Sequence, residues 1–337
     1  MARSAIYEKT VKRLTAYNLF DTQCIEEVAR LAQEQSQFET YQQFFKSVDV
    51  PLEPTLFIAA NGRGVPLVDI DARESKEKGV LVVHLPMGNS LDANQLYQIA
   101  TLALAFPAHR IIAFGNPSGK PLAYKQENLS FVEWLRVAFT KKLRGLVSAE
   151  LEYLTSQNIQ NASHVGYSYG AHKALLCAYY ADSTQVSKVM LVDPVAHPRY
   201  RRQLLKDFSS TFEPLGKYVN RTELQSYFDA RADAAEQVKH SQGIRRPVNI
   251  AIGLMLARID FISWVTATLS KHPKLRAAVA WGSKSELGND AHMKASLHNL
   301  AYETAKGRVK MLRLQGDAHA FPNDVHLYAA IVLQSLK

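Results

Sequence analysis

The chain has 337 residues, 47% hydrophobic and 21% charged, an ordinary globular balance that excludes wholesale disorder and a low-complexity or collagen-like chain. That length allows two or three domains of roughly 100–200 residues, or one large α/β domain carrying an insertion. Forty Lys and Arg against 31 Asp and Glu leave a formal charge of +9; because the basic residues run no longer than pairs (Lys141-Lys142, Arg201-Arg202, Arg245-Arg246), a solvated basic surface is expected and a nucleic-acid partner is not.

In chain order, the opening residues lack the unbroken apolar run of a signal peptide. Residues 4 to about 48 read as helix, with Asp21 as N-cap and Ile25, Val28, Ala29 and Ala32 at helical spacing. Pro51 and Pro54 end it. Thr55–Ala60 and Val65–Ile70 are short apolar runs joined by Asn61-Gly62-Arg63-Gly64, a hairpin signal. Gly79–Leu85 and Arg110–Phe114 are continuous apolar runs, as in strands buried on both faces of a parallel sheet. The longest helix is expected to open at Ser130 with Glu133 completing a capping box, and to carry Phe131, Leu135, Phe139, Leu143, Val147 and Leu151 as one apolar stripe. Ser163–Tyr167, Lys188–Val192, Arg276–Trp281 and Val309–Leu314 complete the strands. Strands alternating with helices argue an α/β fold with a mostly parallel central sheet flanked by helices. From about 196 to 270 there are helical patterns but no strand, an insertion after the sixth strand. Its most apolar stretch, Asn249 to Leu269, is interrupted by Arg258 and Asp260 and makes a poor bilayer span. Cys24 and Cys177 cannot build a disulfide framework and read as free buried thiols, so a cytoplasmic protein is expected.

The sharpest motif is Gly166-Tyr167-Ser168-Tyr169-Gly170, placed between a strand and a helix. A serine on such a turn is lifted clear of the sheet, small neighbours let the backbone pass closely, and the N–H of Tyr169 can face a developing oxyanion at the helix start. A serine needs a base. His319 follows the last strand in Gln315-Gly316-Asp317-Ala318-His319, from where an imidazole can reach back over the sheet edge. Gly115-Asn-Pro-Ser-Gly119-Lys120-Pro121 superficially suggests a phosphate loop but is one residue short and ends in Pro. Neither a metal spacing nor a dinucleotide fingerprint is present, so no metal and no cofactor are expected.

From about residue 51 to the C-terminus the chain resembles the α/β-hydrolase fold, with residues 1–50 left as a helical extension. HRIIAFGNPSGKP resembles that family's fourth strand and loop, KVMLVDPVA its sixth, AAVAWGSKSELG its seventh, and QGDAHAFPNDVHLYAAIVLQSL its histidine loop and closing helix. The resemblance implies a serine hydrolase cleaving an ester, thioester or related acyl bond of a small-molecule substrate, with Ser168 as nucleophile, His319 as base and the insertion as a cap. Two departures stand out. Where the family usually has Asp after its seventh strand this chain has Ser285; Glu286, one residue on, is taken as the acid, with Asp290 and Asp193 as alternatives. Where the family commonly has His-Gly after its third strand this chain has His84-Leu85-Pro86-Met87-Gly88; Pro86 has no N–H, so Met87 is taken with Tyr169 as the oxyanion donor. Met255 and Trp264 are expected to line an acyl pocket in the cap. The same departures motivate the alternative of an idle hydrolase-fold binding or scaffold protein.

Overall fold

The computed structural model describes residues 5–38, 41–74, 78–87, 91, 93–116, 131–140, 142–183, 185–196, 247–285, 287–288 and 290–337. Its centre is an eight-stranded sheet of β1 (Thr55–Ile58), β2 (Gly64–Ile70), β3 (Gly79–His84), β4 (His109–Phe114), β5 (Ala162–Tyr167), β6 (Val186–Val192), β7 (Arg276–Gly282) and β8 (Val309–Leu314). The spatial order is β1-β2-β4-β3-β5-β6-β7-β8. β1 and β2 form the expected hairpin, with Gly62 at φ +79°, and β2 meets β4 antiparallel; the remaining neighbours are parallel. Every strand expected from the sequence is present to within two residues. Because β4 lies outside β3 while β5 lies on β3's other side, the chain reverses direction across the sheet there. Crevices open beyond the carboxyl ends of strands at such a switch point; the residues that meet there are His84 of β3 and Gly166 of β5.

Helices α1 (Ala5–Thr15), α2 (Thr22–Gln35) and α3 (Tyr41–Val48) make up the stretch that reads as helical from residue 4 to about 48. The first break follows Asn18, which sits in the left-handed region at φ 52°. Asp21 caps α2 as expected, accepting from Cys24 N at 2.8 Å. These helices form an outer layer over α4 (Ala93–Ala105) and over α11 (Val325–Leu336), the last helix described. Leu14, Cys24, Val28 and Phe44 share one buried cluster with Tyr97, Tyr328 and Ile331. Gln35 joins the layers: its amide donates to Thr101 (2.9 Å), and its oxygen accepts from Tyr97 (3.3 Å) and His326 (2.6 Å).

The opposite face of the sheet carries α5 (Phe131–Phe139), α6 (Ser148–Ser156), α7 (Tyr169–Tyr180), α8 (Pro247–Leu256), α9 (Phe261–Lys271) and α10 (Asp290–Asn299). The long helix expected from Ser130 is in fact α5, a 3₁₀ turn at Arg144–Leu146, and α6; Ser130 lies outside the described residues. A four-residue repeat overshoots the 3.6-residue helical turn, so its stripe drifts around a continuous helix. The break resolves that drift: Leu143, Val147 and Leu151 are buried, while Phe139 is 62% exposed. Both cysteines are buried free thiols, as expected. Among the described residues no helix is long and apolar enough to cross a membrane.

Candidate active site

β5 delivers the chain into α7 through Ser168, whose φ of 57° and ψ of −119° are unusual for a residue with a side chain. The other described non-glycine residues with positive φ (Asn18, Asp49, Asn158, Asn161, Asp193) are all Asn or Asp, which tolerate that region; Ser168 is the exception. Two glycines make the turn possible. A Cβ on Gly166 would lie 2.0 Å from Gly170 O, and one on Gly170 would lie 2.1 Å from His84 O, the end of β3. The elbow is therefore pressed against the loop that leaves β3.

His319 enters from the loop after β8. Its Nε2 lies 3.0 Å from Ser168 Oγ and its Nδ1 lies 2.5 Å from Asp193 Oδ2. A carboxylate only accepts, so Nδ1–H donates to Asp193 and Nε2 is left to accept from the serine hydroxyl. Tyr167, the residue before Ser168, donates its hydroxyl to His319 O at 2.9 Å and lays its ring against the imidazole. The structure brings together Ser168 and His319, 151 residues apart in sequence.

The carboxylate is a different matter. Glu286, the expected acid, lies outside the described residues. Asp290 faces away: Arg313 clamps it through two nitrogens at 2.7 and 2.6 Å, Trp281 Nε1 donates to it at 2.8 Å, and these hydrogen bonds, Arg313's first, lower its pKa. The carboxylate against His319 is Asp193, fully buried at the end of β6. Gly282 N donates to its Oδ1 at 3.0 Å, and Ser285 Oγ donates to its Oδ2 at 2.6 Å. Ser285, the residue at which the sequence departs from the expected Asp, is thus a hydrogen-bond partner of Asp193.

Tyr169 is the first residue of α7, where backbone N–H groups have no partner within the helix, and its side chain is wholly buried. Met87 is half-buried in the loop after β3, its side chain against the cluster that contains Tyr169. Sequence reasoning missed what holds that loop. Asn116, just past β4 in the stretch set aside as a false phosphate loop, donates its Nδ2 to Leu85 O (3.1 Å) and Pro86 O (2.6 Å). Behind it Lys173 of α7 donates to Asn116 Oδ1 at 3.3 Å and pairs with Glu150 of α6, both wholly buried. His84, His164 and Cys177 complete this interior group, with ligand-type atoms within 4.8 Å of one another. Lys173 already supplies the positive charge that Glu150 needs, so the group fits an ion pair better than a bound metal. Burial opposes Glu150's ionised form, but Lys173 and His84 outweigh it and hold the carboxyl at about 2. Burial also lowers both histidines, keeping them neutral.

The expected pocket residues are placed elsewhere. Met255 is 1% exposed in the cluster joining α5, α7, α8 and α9, so it lines no open cavity. Trp264 of α9 packs edge-on against Tyr179, with ring centroids 5.0 Å apart. Tyr179 lies ten residues beyond the start of α7, about 15 Å along its axis from Ser168 at 1.5 Å per residue. Of the cap expected over 196–270, residues 197–246 lie outside the described residues; residues 261–271 form α9, the body helix that leads into β7 and packs on α7, with His172 against Phe261.

No family model matches the chain, and no curated protein sequence does. Solved structures do match. An enol-lactonase from Burkholderia xenovorans superposes with TM-score 0.54 at 11% identity, covering 84% of this chain and 99% of that one. An esterase from Pyrococcus furiosus gives 0.55 at 9%, covering 87% and 93%, and a bromoperoxidase from Bacillus anthracis gives 0.54 at 15%, covering 85% and 100%. The fold is that of the α/β-hydrolases. On this α/β-hydrolase frame the elbow and the histidine loop stand at the switch-point end of the sheet. The helices α1–α3 add a layer behind its closing helix.

Proposed function

We propose that the chain is a serine hydrolase that cleaves a carboxylic ester, thioester or related acyl bond of a small-molecule substrate through an acyl-enzyme on Ser168. The observation that carries this reading is one imidazole bridging a strained serine and a buried carboxylate: Ser168 Oγ at 3.0 Å on one ring nitrogen, Asp193 Oδ2 at 2.5 Å on the other. In this reading His319 takes the proton as Ser168 attacks the acyl carbon and returns it to the leaving alcohol or thiol. Water then repeats the cycle to release the acid. Asp193 holds the ring in the required tautomer and offsets the imidazolium charge. The N–H groups of Tyr169 and Met87 receive the oxyanion. The enol-lactonase and esterase names among the structural neighbours agree with acyl–oxygen cleavage. The idle-scaffold alternative draws on Ser285 and on the missing His-Gly; Asp193 against His319 speaks against the first ground and leaves the second to the labelling test.

A fluorophosphonate probe tests the reading. The wild type should be labelled and should hydrolyse p-nitrophenyl esters, and Ser168→Ala should do neither while remaining folded. A folded wild type that resists the probe and turns over no ester in a panel of acyl lengths would refute it.

A further inference from the structure

The close approach of Gly170 to His84 O already brings the loop after β3 against the elbow. One peptide plane sets its orientation. In a trans peptide the C=O and the N–H point in opposite directions. The carbonyl of Pro86 and the N–H of Met87 belong to the same peptide unit, so whatever grips Pro86 O aims Met87 N–H the other way. The grip is Asn116 Nδ2, at 2.6 Å, which also holds Leu85 O at 3.1 Å. The preceding unit, Leu85–Pro86, carries no N–H at all, which leaves Met87 as its nearest downstream donor.

Asn116 itself must be oriented, because an amide offers an acceptor on one side and a donor on the other. Lys173 decides the matter. An ammonium has no acceptor, so it accepts only the oxygen as partner, at 3.3 Å, and the NH₂ is driven toward the two carbonyls. Lys173 is held in turn by Glu150, whose other oxygen lies 3.5 Å from both His84 Nδ1 and Cys177 Sγ. His84 is the last residue of β3, directly ahead of the loop, and its Nε2 lies 2.9 Å from His164 Nδ1 on β5. Removing two charges from water is expensive, and an apolar pair of similar volume packs the same space at no such cost. Packing alone therefore gives no reason for Lys173 and Glu150.

We infer that Asn116 is the positioning residue for the Met87 N–H, and that the buried Lys173–Glu150 pair exists to fix the orientation of the Asn116 amide. The inference rests on the serine-hydrolase reading above, since Met87 N–H has an oxyanion to meet only if Ser168 attacks an acyl group.

The test uses Asn116→Asp, which keeps size and a partner for Lys173 but offers the carbonyls no donor, and the double variant Lys173→Met/Glu150→Leu, which lets the amide turn over without leaving a buried charge. Fluorophosphonate labelling of the wild type comes first; failure there refutes the hydrolase reading and this inference with it. Given a labelled wild type, Asn116→Asp should lower kcat by about 10²–10³, the effect of losing one oxyanion donor. KM should stay within about threefold, and the pH midpoint set by His319 should not move. Affinity for a trifluoromethyl ketone, which forms a tetrahedral adduct on Ser168, should fall in parallel with kcat/KM. The double variant should show the same pattern at smaller amplitude and keep a wild-type melting temperature. Three results would overturn the inference: unchanged kcat in a folded Asn116→Asp, a loss that only tracks the folded fraction, or a displaced pH midpoint, which would put the effect on the histidine.

Discussion

The carboxylate of Asp193 is held by two donors besides His319, and each does a separable job. Gly282 N fixes Oδ1 from a backbone that no substitution removes, while Ser285 Oγ shares Oδ2 with the imidazole. Asp193→Asn turns one oxygen into a donor and favours the wrong tautomer of His319, so kcat should fall by about 10⁴ with the fold intact. Ser285→Ala leaves the acid its other partners and should cost far less, about tenfold or under, in line with one lost hydrogen bond of roughly 1 kcal/mol. Glu286→Gln and Asp290→Asn should leave kcat close to wild type. Steady-state kinetics on a single ester distinguishes them, and a crippled Glu286→Gln beside an active Asp193→Asn would reverse the assignment. Ser168 and His319 are legible in sequence because each announces itself locally, one by flanking glycines and the other by its place after the last strand. The carboxylate that meets His319 has no local signature. Its partner lies 126 residues away, and three carboxylates stood in reach of the right strand ends until β6, β7 and β8 were set side by side.

Elements were legible to unequal degrees for physical reasons. Parallel strands buried on both faces must be continuously apolar, so their runs could be bounded closely. Helix breaks leave no such mark: a four-residue repeat looks the same whether the helix continues past Phe139 or stops there. The most apolar stretch, α8 and α9, reads as a pocket wall in sequence because apolarity by itself does not say what covers it. Its surroundings do. Met255 sits among core residues, and Trp264 covers Tyr179, so both should behave as packing residues. Met255→Ala should cost about 2–5 kcal/mol of stability through the cavity it leaves. Trp264→Ala should cost less, being half-buried. In both, thermal melts should shift while the ranking of p-nitrophenyl esters by acyl length stays as in the wild type. A changed ranking without a changed melt would restore the pocket role.

For the molecule as a whole, part of the +9 charge serves helix ends. Lys188 and Lys310 donate to the carbonyls of Leu336 and Gln334 at the close of α11, and Arg308 donates to Leu269 O (2.9 Å) and His272 O (3.3 Å) at the close of α9. Cations suit those unpaired carbonyls and the negative end of the dipole. Buried neutral histidines give the fold a direction of pH sensitivity. Burial lowers His172 and His326 to about 4 each, against roughly 6.5 in an unfolded chain. Their contribution is complete above about pH 6.5 and is lost as pH falls toward 4, because over that window only the unfolded chain binds the protons. Glu150, held at about 2, adds a loss in the same direction lower down. Urea midpoints should therefore drop between pH 7 and pH 5. His326→Gln, which can still donate to Gln35, should flatten that dependence by about one proton, or about 2 kcal/mol at pH 5. An equal slope in the variant would show that His326 is already charged in the folded state.

The outer helical layer also fixes when the molecule can finish folding. Cys24 of α2 donates its thiol to Ala330 O of α11 across 306 residues of sequence, and Leu14, Val28 and Phe44 share a cluster with Tyr328 and Ile331. During synthesis α1–α3 leave the ribosome before α11 and must hold apolar faces open until it follows. Contacts so distant along the chain close slowly, and exposed apolar surface in the interval invites association between nascent chains. Until α11 emerges, the layer that will complete the core is the part of the chain most in need of a chaperone.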